Sequence, residues 1–318
     1  MEDFEMLEVE KTPVIKGKIS FIDRYAECLT DNEYITDPSI AREQEIRDLI
    51  VILITPDKSG ILVGLPGIGK TAIVEGLAYR IKKNEVPGRL QNHKVYKINS
   101  SSLVGTIVLD GVEELKIQVM INDLMKRDKT ILFIDEIHTL IGNKESTSMD
   151  LANILKPAVD RGAIKLIGAT TTAEYERYLV KDRAFIRRFD KVMVAEPTRD
   201  QTIEILIKTL PKIEKKYGIK IKYTIYVIRL IMEFITDATS EYKREYILSS
   251  RYPDIVLTIL SKAFAIAAYS DKSDVDLIDI YEAFTQSKAI YPDVIKKEIV
   301  VFKEKFKDIL KEENITLE

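Results

Sequence analysis

Three glycines, a lysine and a threonine in Gly64-Leu65-Pro66-Gly67-Ile68-Gly69-Lys70-Thr71 have the spacing of a phosphate-binding loop. Glycines let backbone N–H groups turn inward around phosphate oxygens, the lysine reaches the outer phosphates, and the threonine hydroxyl can ligate magnesium. A second reactive group, Asp135-Glu136, directly follows four apolar residues, Ile131-Leu132-Phe133-Ile134. Beside a magnesium-bound nucleotide, Asp135 can hold the metal's shell and Glu136 can polarise the water that attacks the γ-phosphate. Thr170-Thr171 closes another apolar run, where a hydroxyl could contact that phosphate or the water. Arg187-Arg188 reads either as solvated surface or as fingers that stabilise transition-state charge.

These groups need elements to hold them. Gly60-Ile61-Leu62-Val63 reads as a short buried strand, and Thr71 to Lys83 repeats apolar residues at Ile73, Leu77, Ala78 and Ile81 with helical spacing. A helix amino terminus therefore points at the anion. Strand-like runs at Ile61–Val63, Val95–Ile98, Ile131–Ile134, Ile164–Ile167 and Val192–Ala195 alternate with helical patterns. That alternation predicts an α/β fold with a five-stranded parallel sheet covered on both faces, binding ligands at the strands' carboxyl ends. Beyond Pro197 only helical patterns follow, at Asp200–Tyr217, Ile225–Thr236, Asp254–Tyr269 and Asp276–Gln286. A last amphipathic helix, Pro292 to Glu313, places Ile295, Ile299, Phe302, Phe306 and Ile309 along one face. Residues 1–19 show weak periodicity.

With 318 residues, 46% hydrophobic and 31% charged, the chain is long enough for about two domains. A net charge of −3 gives no general attraction to a phosphate backbone and weighs against a nucleic-acid partner. The first residues, Met1-Glu2-Asp3-Phe4-Glu5, lack the basic and apolar regions of a secretory signal, and Ile46 to Thr55 is too short and too charged to span a bilayer. The expectation is a cytoplasmic protein without a membrane partner. Cys28 is the only cysteine, which excludes an intrachain disulfide. His93 and His138 lack metal-ligand spacing.

Taken in order, these motifs resemble the N-terminal ATPase module of the Clp-type AAA+ unfoldases, in a single-module form. The matching residues are Asp37-Pro38 with Ile40 and Arg42, the run from Gly69 to Ala78, and Glu85-Val86-Pro87. Phe133 to Thr139, Asn153 with Leu155 to Ala158, Gly168-Ala169-Thr170-Thr171 and Arg187-Arg188-Phe189 also match. The resemblance implies a P-loop AAA+ domain with a small C-terminal α-helical lid. The expected division is an N-terminal segment 1–36, a nucleotide-binding domain 37–196, a lid 197–290 and the final helix 291–318. It further implies ATP and Mg2+ as cofactors. Ile40, Pro66, Gly67, Ile68, Gly69, Lys70, Thr71, Ala72 and Asp135 would contact the nucleotide, and Thr71 and Asp135 would hold magnesium. Glu136 would activate water and Thr171 would be the first sensor. Arg187 and Arg188 would act across a subunit boundary, which implies a homo-oligomeric ring, typically a hexamer, working on a protein partner.

The chain departs from that pattern in the loop that grips a threaded polypeptide. The family's basic-aromatic-Arg-Gly falls on Val108-Leu109-Asp110-Gly111, so Leu109 stands for the aromatic. An aliphatic Ile107-Val108-Leu109 offers an extended chain less contact area than a ring does. Three functions follow: a remodelling or translocating ATPase, an ATP-gated assembly switch without threading, and a nucleic-acid loader, which the charge and Asp110 disfavour. Two smaller departures are Ala41 in place of a glycine, tolerable unless that position needs a positive φ, and Ile255 in place of a lysine after Tyr252-Pro253-Asp254.

Overall fold

The computed structural model describes residues 14–15, 20–109, 111–140, 164–181, 186–245 and 251–317. The matches at Asn153 and Leu155 to Ala158, Asp110 of the gripping loop, and most of residues 1–19 lie outside the described residues. The chain forms two compact units, each discontinuous in sequence. One comprises Met1–Asn32, Leu49–Leu62 and Arg80–Val192; the other comprises Glu33–Asp48, Val63–Tyr79 and Met193–Glu318.

The first unit is built on strands. They are β1 (Val14–Ile15), β2 (Glu27–Cys28), β3 (Ser59–Val63), β4 (Lys94–Asn99), β5 (Thr106–Leu109), β6 (Val112–Leu115), β7 (Thr130–Asp135), β8 (Lys165–Thr170) and β9 (Phe189–Met193). Six of them form one sheet in the order β2-β4-β7-β8-β3-β9. The pairs β4–β7 and β7–β8 are parallel. Ser59 N–H donates to Arg188 O and Val194 N–H to Val63 O, so the partners rise together and β9 runs along β3. All five residues of β3 and the first five of β7 are buried, as expected of parallel strands covered on both faces.

The five expected strands are all present, with shifted ends. β8 begins at Lys165, just past Ile164, and β9 begins at Phe189, three residues before the expected Val192. Two features were not anticipated. The two-residue β2 joins β4 antiparallel, with Glu27 opposite Lys97 and Cys28 opposite Tyr96. A separate small sheet pairs β5 antiparallel with β6, and β1 parallel with β5.

The second unit is mainly helical. It holds α5 (Arg199–Tyr217), α6 (Ile225–Ala238), α7 (Asp254–Tyr269), α8 (Leu277–Thr285), α9 (Pro292–Lys305) and α10 (Lys307–Glu312). Earlier helices are α1 (Phe21–Tyr25), α2 (Glu43–Ile54), α3 (Lys70–Lys82) and α4 (Lys116–Leu124). Local chemistry sets the ends of α5: Thr198 and Gln201 form a capping box, and Gly218 closes the helix at φ +73°. Phe234 sits edge-on to Phe284, Phe302 and Phe306 with ring centroids 5.2, 5.0 and 6.2 Å away. The final segment thus packs on its own chain. It is two helices, broken at Phe306, whose ring is buried in this cluster. Among the described residues no helix is long and apolar enough to cross a membrane.

Candidate nucleotide site

The link between β3 and α3 is the phosphate loop. Gly67 and Gly69 adopt φ +75° and +93°, which residues with a Cβ rarely reach. The crest, Leu65 to Gly67, is exposed, and Ile68 is tucked beneath it. Lys70 begins α3, and its Nζ donates to Gly64 O at 3.0 Å and Leu65 O at 2.9 Å, which holds the ammonium against the loop. The first turn of α3 has no acidic residue to oppose an incoming anion. Loop, ammonium and helix start therefore fit a phosphate group. Thr71 and Ala72 continue the same turn, both partly exposed. The start of α7 lies close by in this unit, since a Cβ added to Gly67 would come 2.9 Å from Asp254 Cβ.

Arg42 braces this loop from beneath. Its guanidinium is buried and donates to Ile68 O at 2.6 Å, Ala195 O at 2.9 Å and Glu45 Oε1 at 2.8 Å. The sequence marked Arg42 as a family match without a role. Upstream, the Asp37 carboxylate accepts from Ser39 N–H and Oγ at 2.8 and 2.6 Å, fixing the turn that buries Ile40. Ala41 in this turn has φ +57°, so the position does demand the conformation a glycine adopts without strain. A left-handed backbone costs a residue with a Cβ about 1–2 kcal/mol, and glycine returns about 0.4–1 of that through the unfolded chain's entropy. Ala41→Gly is expected to raise unfolding stability by about 0.5–1 kcal/mol, read as a higher denaturant midpoint at unchanged slope. An unchanged or lower midpoint contradicts the strain.

In the first unit, β7 ends with Asp135 partly exposed and Glu136 exposed. Glu136 has φ +51°, an unusual conformation for a side chain of this size. Its N–H donates to Asp135 Oδ1 at 3.0 Å, and Thr139 donates to its carbonyl from both N–H and Oγ1, each at 3.0 Å. The turn that presents this carboxylate is thus pinned on both sides in a strained state, a pattern that concentrates at functional positions.

The neighbouring strand β8 ends at Thr170, which is buried. Thr171 caps the helical turn that follows, with Thr171 and Glu174 forming a capping box that Thr-x-x-Glu in the sequence signals. Glu174 Oε2 gathers Thr171 Oγ1 at 2.7 Å, Thr171 N–H at 3.1 Å, His138 Nδ1 at 3.1 Å and Thr170 Oγ1 at 3.4 Å. Burial pulls the Glu174 carboxyl upward, but these hydrogen bonds outweigh it and leave the group below the usual carboxylate range. One carboxylate oxygen therefore ties the threonine pair to the segment following Asp135-Glu136.

The arginine pair stands elsewhere. Arg188 O accepts from Ser59 N–H, and Arg187 O accepts from Lys58 Nζ at 3.2 Å, both beside the start of β3. Lys165 opens β8 and donates to Lys58 O and Thr55 O, so these amino ends share one edge of the sheet. Asp135 and Thr170 end their strands at the opposite edge. A six-residue strand separates the two edges by about 20 Å, too far for Arg187 to serve the carboxylates of its own unit.

Residues 60–197 match the family described as "ATPase family associated with various cellular activities (AAA)". This chain contains a Clp-type AAA+ ATPase module. The "Chaperone protein ClpB" of Aquifex aeolicus (strain VF5) is 38% identical over 265 residues, covering 82% of this chain and 25% of that protein. The solved "S. cerevisiae Hsp104-ADP complex" superposes with a TM-score of 0.69 at 36% identity, over 83% of this chain and 45% of that one. The "S. cerevisiae Hsp104:casein complex, Extended Conformation" gives 0.69 at 35% identity, over 84% and 45%. The Clp-type module thus spans a quarter of the ClpB protein and under half of each Hsp104 chain. Its fold is the expected one: an α/β nucleotide-binding fold with a parallel-dominated sheet and a helical C-terminal part. Ile255, the residue in place of the lysine, is buried in the helical core.

Proposed function

We propose that this protein is an ATP-hydrolysing ring protein that remodels or translocates a protein partner in the cytoplasm, typically as a hexamer. The observation that carries this reading is the placement of Arg187 at the sheet edge opposite Asp135 and Thr170. Arginines so placed can stabilise phosphate charge only on a neighbouring copy, and that requires a ring or filament of copies. Lys70 and the loop from Pro66 to Ala72 bind the phosphates, and buried Ile40 lines the adenine side. Thr71 and Asp135 are the residues that would hold magnesium, which would neutralise phosphate charge. Glu136 takes the proton of the attacking water, and Thr171 reads the γ-phosphate once its hydroxyl proton leaves Glu174.

An assembly switch without threading is the second reading, favoured by the gripping segment. Ile107 is fully buried, so it offers no surface to a partner, contrary to its expected role beside Val108 and Leu109. Val108 and Leu109 are paired with β1 on one side and β6 on the other. Two variants test the proposal. Arg187→Ala should abolish ATP-dependent assembly in sedimentation while leaving ATP binding by single copies intact. Leu109→Ala should suppress ATP-driven unfolding of a model polypeptide if the chain is threaded, and leave assembly and partner release unchanged if it is a switch. Wild-type protein that neither hydrolyses ATP nor assembles with it overturns both readings.

A further inference from the structure

Away from the strand ends that carry Asp135 and Thr170, the first unit has a cavity of about 380 Å³ at the amino edge of its sheet. Leu53 and Ile54 from the end of α2, Pro56, and Leu90 give it an apolar wall, and Arg89, His93, Lys165 and Asp57 give it charge and polarity. Its size suits a small organic ligand. None of these residues takes part in the nucleotide chemistry.

Three nitrogen groups meet here. His93 Nδ1 is fully buried and has no hydrogen-bond partner among the described residues. That nitrogen is shielded from solvent, so His93 lines the cavity with other atoms of its ring. Lys165 Nζ donates to Thr55 O at 2.6 Å and Lys58 O at 3.1 Å, which leaves one of its three N–H bonds. Arg89 is exposed and makes no hydrogen bond or ion pair among the described residues. Burial holds the His93 imidazole below its ordinary value, against the raising effect of hydrogen bonds to the Gln91 and Leu90 backbone, and the charges of Lys129 and Lys165 add to it in smaller measure. Burial also lowers Lys165. Only Asp57, exposed on the rim, opposes them.

We propose that this cavity binds a small monocarboxylic acid, with its carboxylate between Arg89 and Lys165 and its hydrocarbon body against Leu53, Ile54, Pro56 and Leu90. The guanidinium fork matches a carboxylate with two parallel N–H bonds. The His93 ring forms part of the same wall. The apolar wall and the Asp57 carboxylate select against a dianionic phosphate, which loses more solvation on entry and meets a like charge on the rim.

The chain has two histidines, so imidazole nitrogen spectra give a probe and a control in one titration. Hexanoate added to the wild-type protein should shift the His93 nitrogens saturably, with a dissociation constant of about 1 mM, and leave His138 unmoved. Arg89→Ala, at an exposed position, should weaken hexanoate by about 10-fold while ATP binding is unchanged. Asp57→Asn should tighten it, since asparagine tolerates the φ of +56° found there and removes the opposing charge. No saturable shift, an equal response to inorganic phosphate, movement of His138 alone, or unchanged affinity in both variants overturns the proposal. ATP hydrolysis has no part in the readout, so the two readings fail separately.

Discussion

Glu136→Gln should cut ATP turnover by at least about 100-fold while ATP affinity stays within about 3-fold, because general-base catalysis contributes about 10²–10⁴ to rate and an amide cannot accept the water's proton. The geometry makes this sharper than a motif alone would. Glu136 sits at φ +51° with its backbone fixed by Asp135 and Thr139, so the glutamine enters the same pinned turn and the loss is chemical. Glu136→Gly separates the two consequences of that turn. Glycine relieves a left-handed strain of about 1–2 kcal/mol and removes the base, so the variant should be more stable and inactive. Phosphate release measured with magnesium and ATP, beside denaturant unfolding, reads both. Turnover surviving in the glutamine variant would remove Glu136 from the chemistry. A glycine variant no more stable than wild type would remove the strain.

What the sequence made legible follows a physical line. Apolar runs such as Ile131 to Ile134 are long and bounded by charge, so their strands could be read directly, and the helices beyond Pro197 followed from their period. Strand ends were less visible: Phe189 belongs to β9 although Asp190 and Lys191 interrupt the apolar run. The β5–β6 hairpin escaped notice because its few aliphatic residues read equally well as a loop. Single-residue conformations were beyond reach. The glycine that the family pattern has at position 41 raised the question of a positive φ for Ala41, whereas nothing in the letters shows that Glu136 holds one, since that depends on what its neighbours' hydrogen bonds enforce. The cap at Thr171 has a signal in Thr-x-x-Glu that the reading of Thr170-Thr171 as a phosphate contact left unused, and the convergence of Thr170, His138 and Glu174 required two strands side by side.

Arg42 is where folding energy and nucleotide binding meet, and Arg42→Met should lower both. The buried guanidinium bonds two carbonyls, Ile68 O within the phosphate loop and Ala195 O, together with the Glu45 carboxylate. Methionine fills similar space but leaves two carbonyls and a largely shielded charge without their donor. Removing one member of a buried charged pair costs about 3–5 kcal/mol, and Glu45 is largely but not wholly shielded, with 16% of its side chain exposed, which favours the lower end. Ile68 anchors the loop between Gly67 and Gly69, so losing its tether should let the glycine cradle relax and weaken ATP at least about 10-fold. Arg42→Lys discriminates fold from fork. A lysine retains the charge and one or two bonds but cannot span three acceptors in fixed planar geometry, so it should recover much of the stability and less of the ATP affinity. Unfolding midpoints and ATP titrations on the three proteins decide the matter. If methionine leaves ATP affinity within about 2-fold of wild type, the loop holds its shape by its own glycines and Lys70, and Arg42 serves the fold alone.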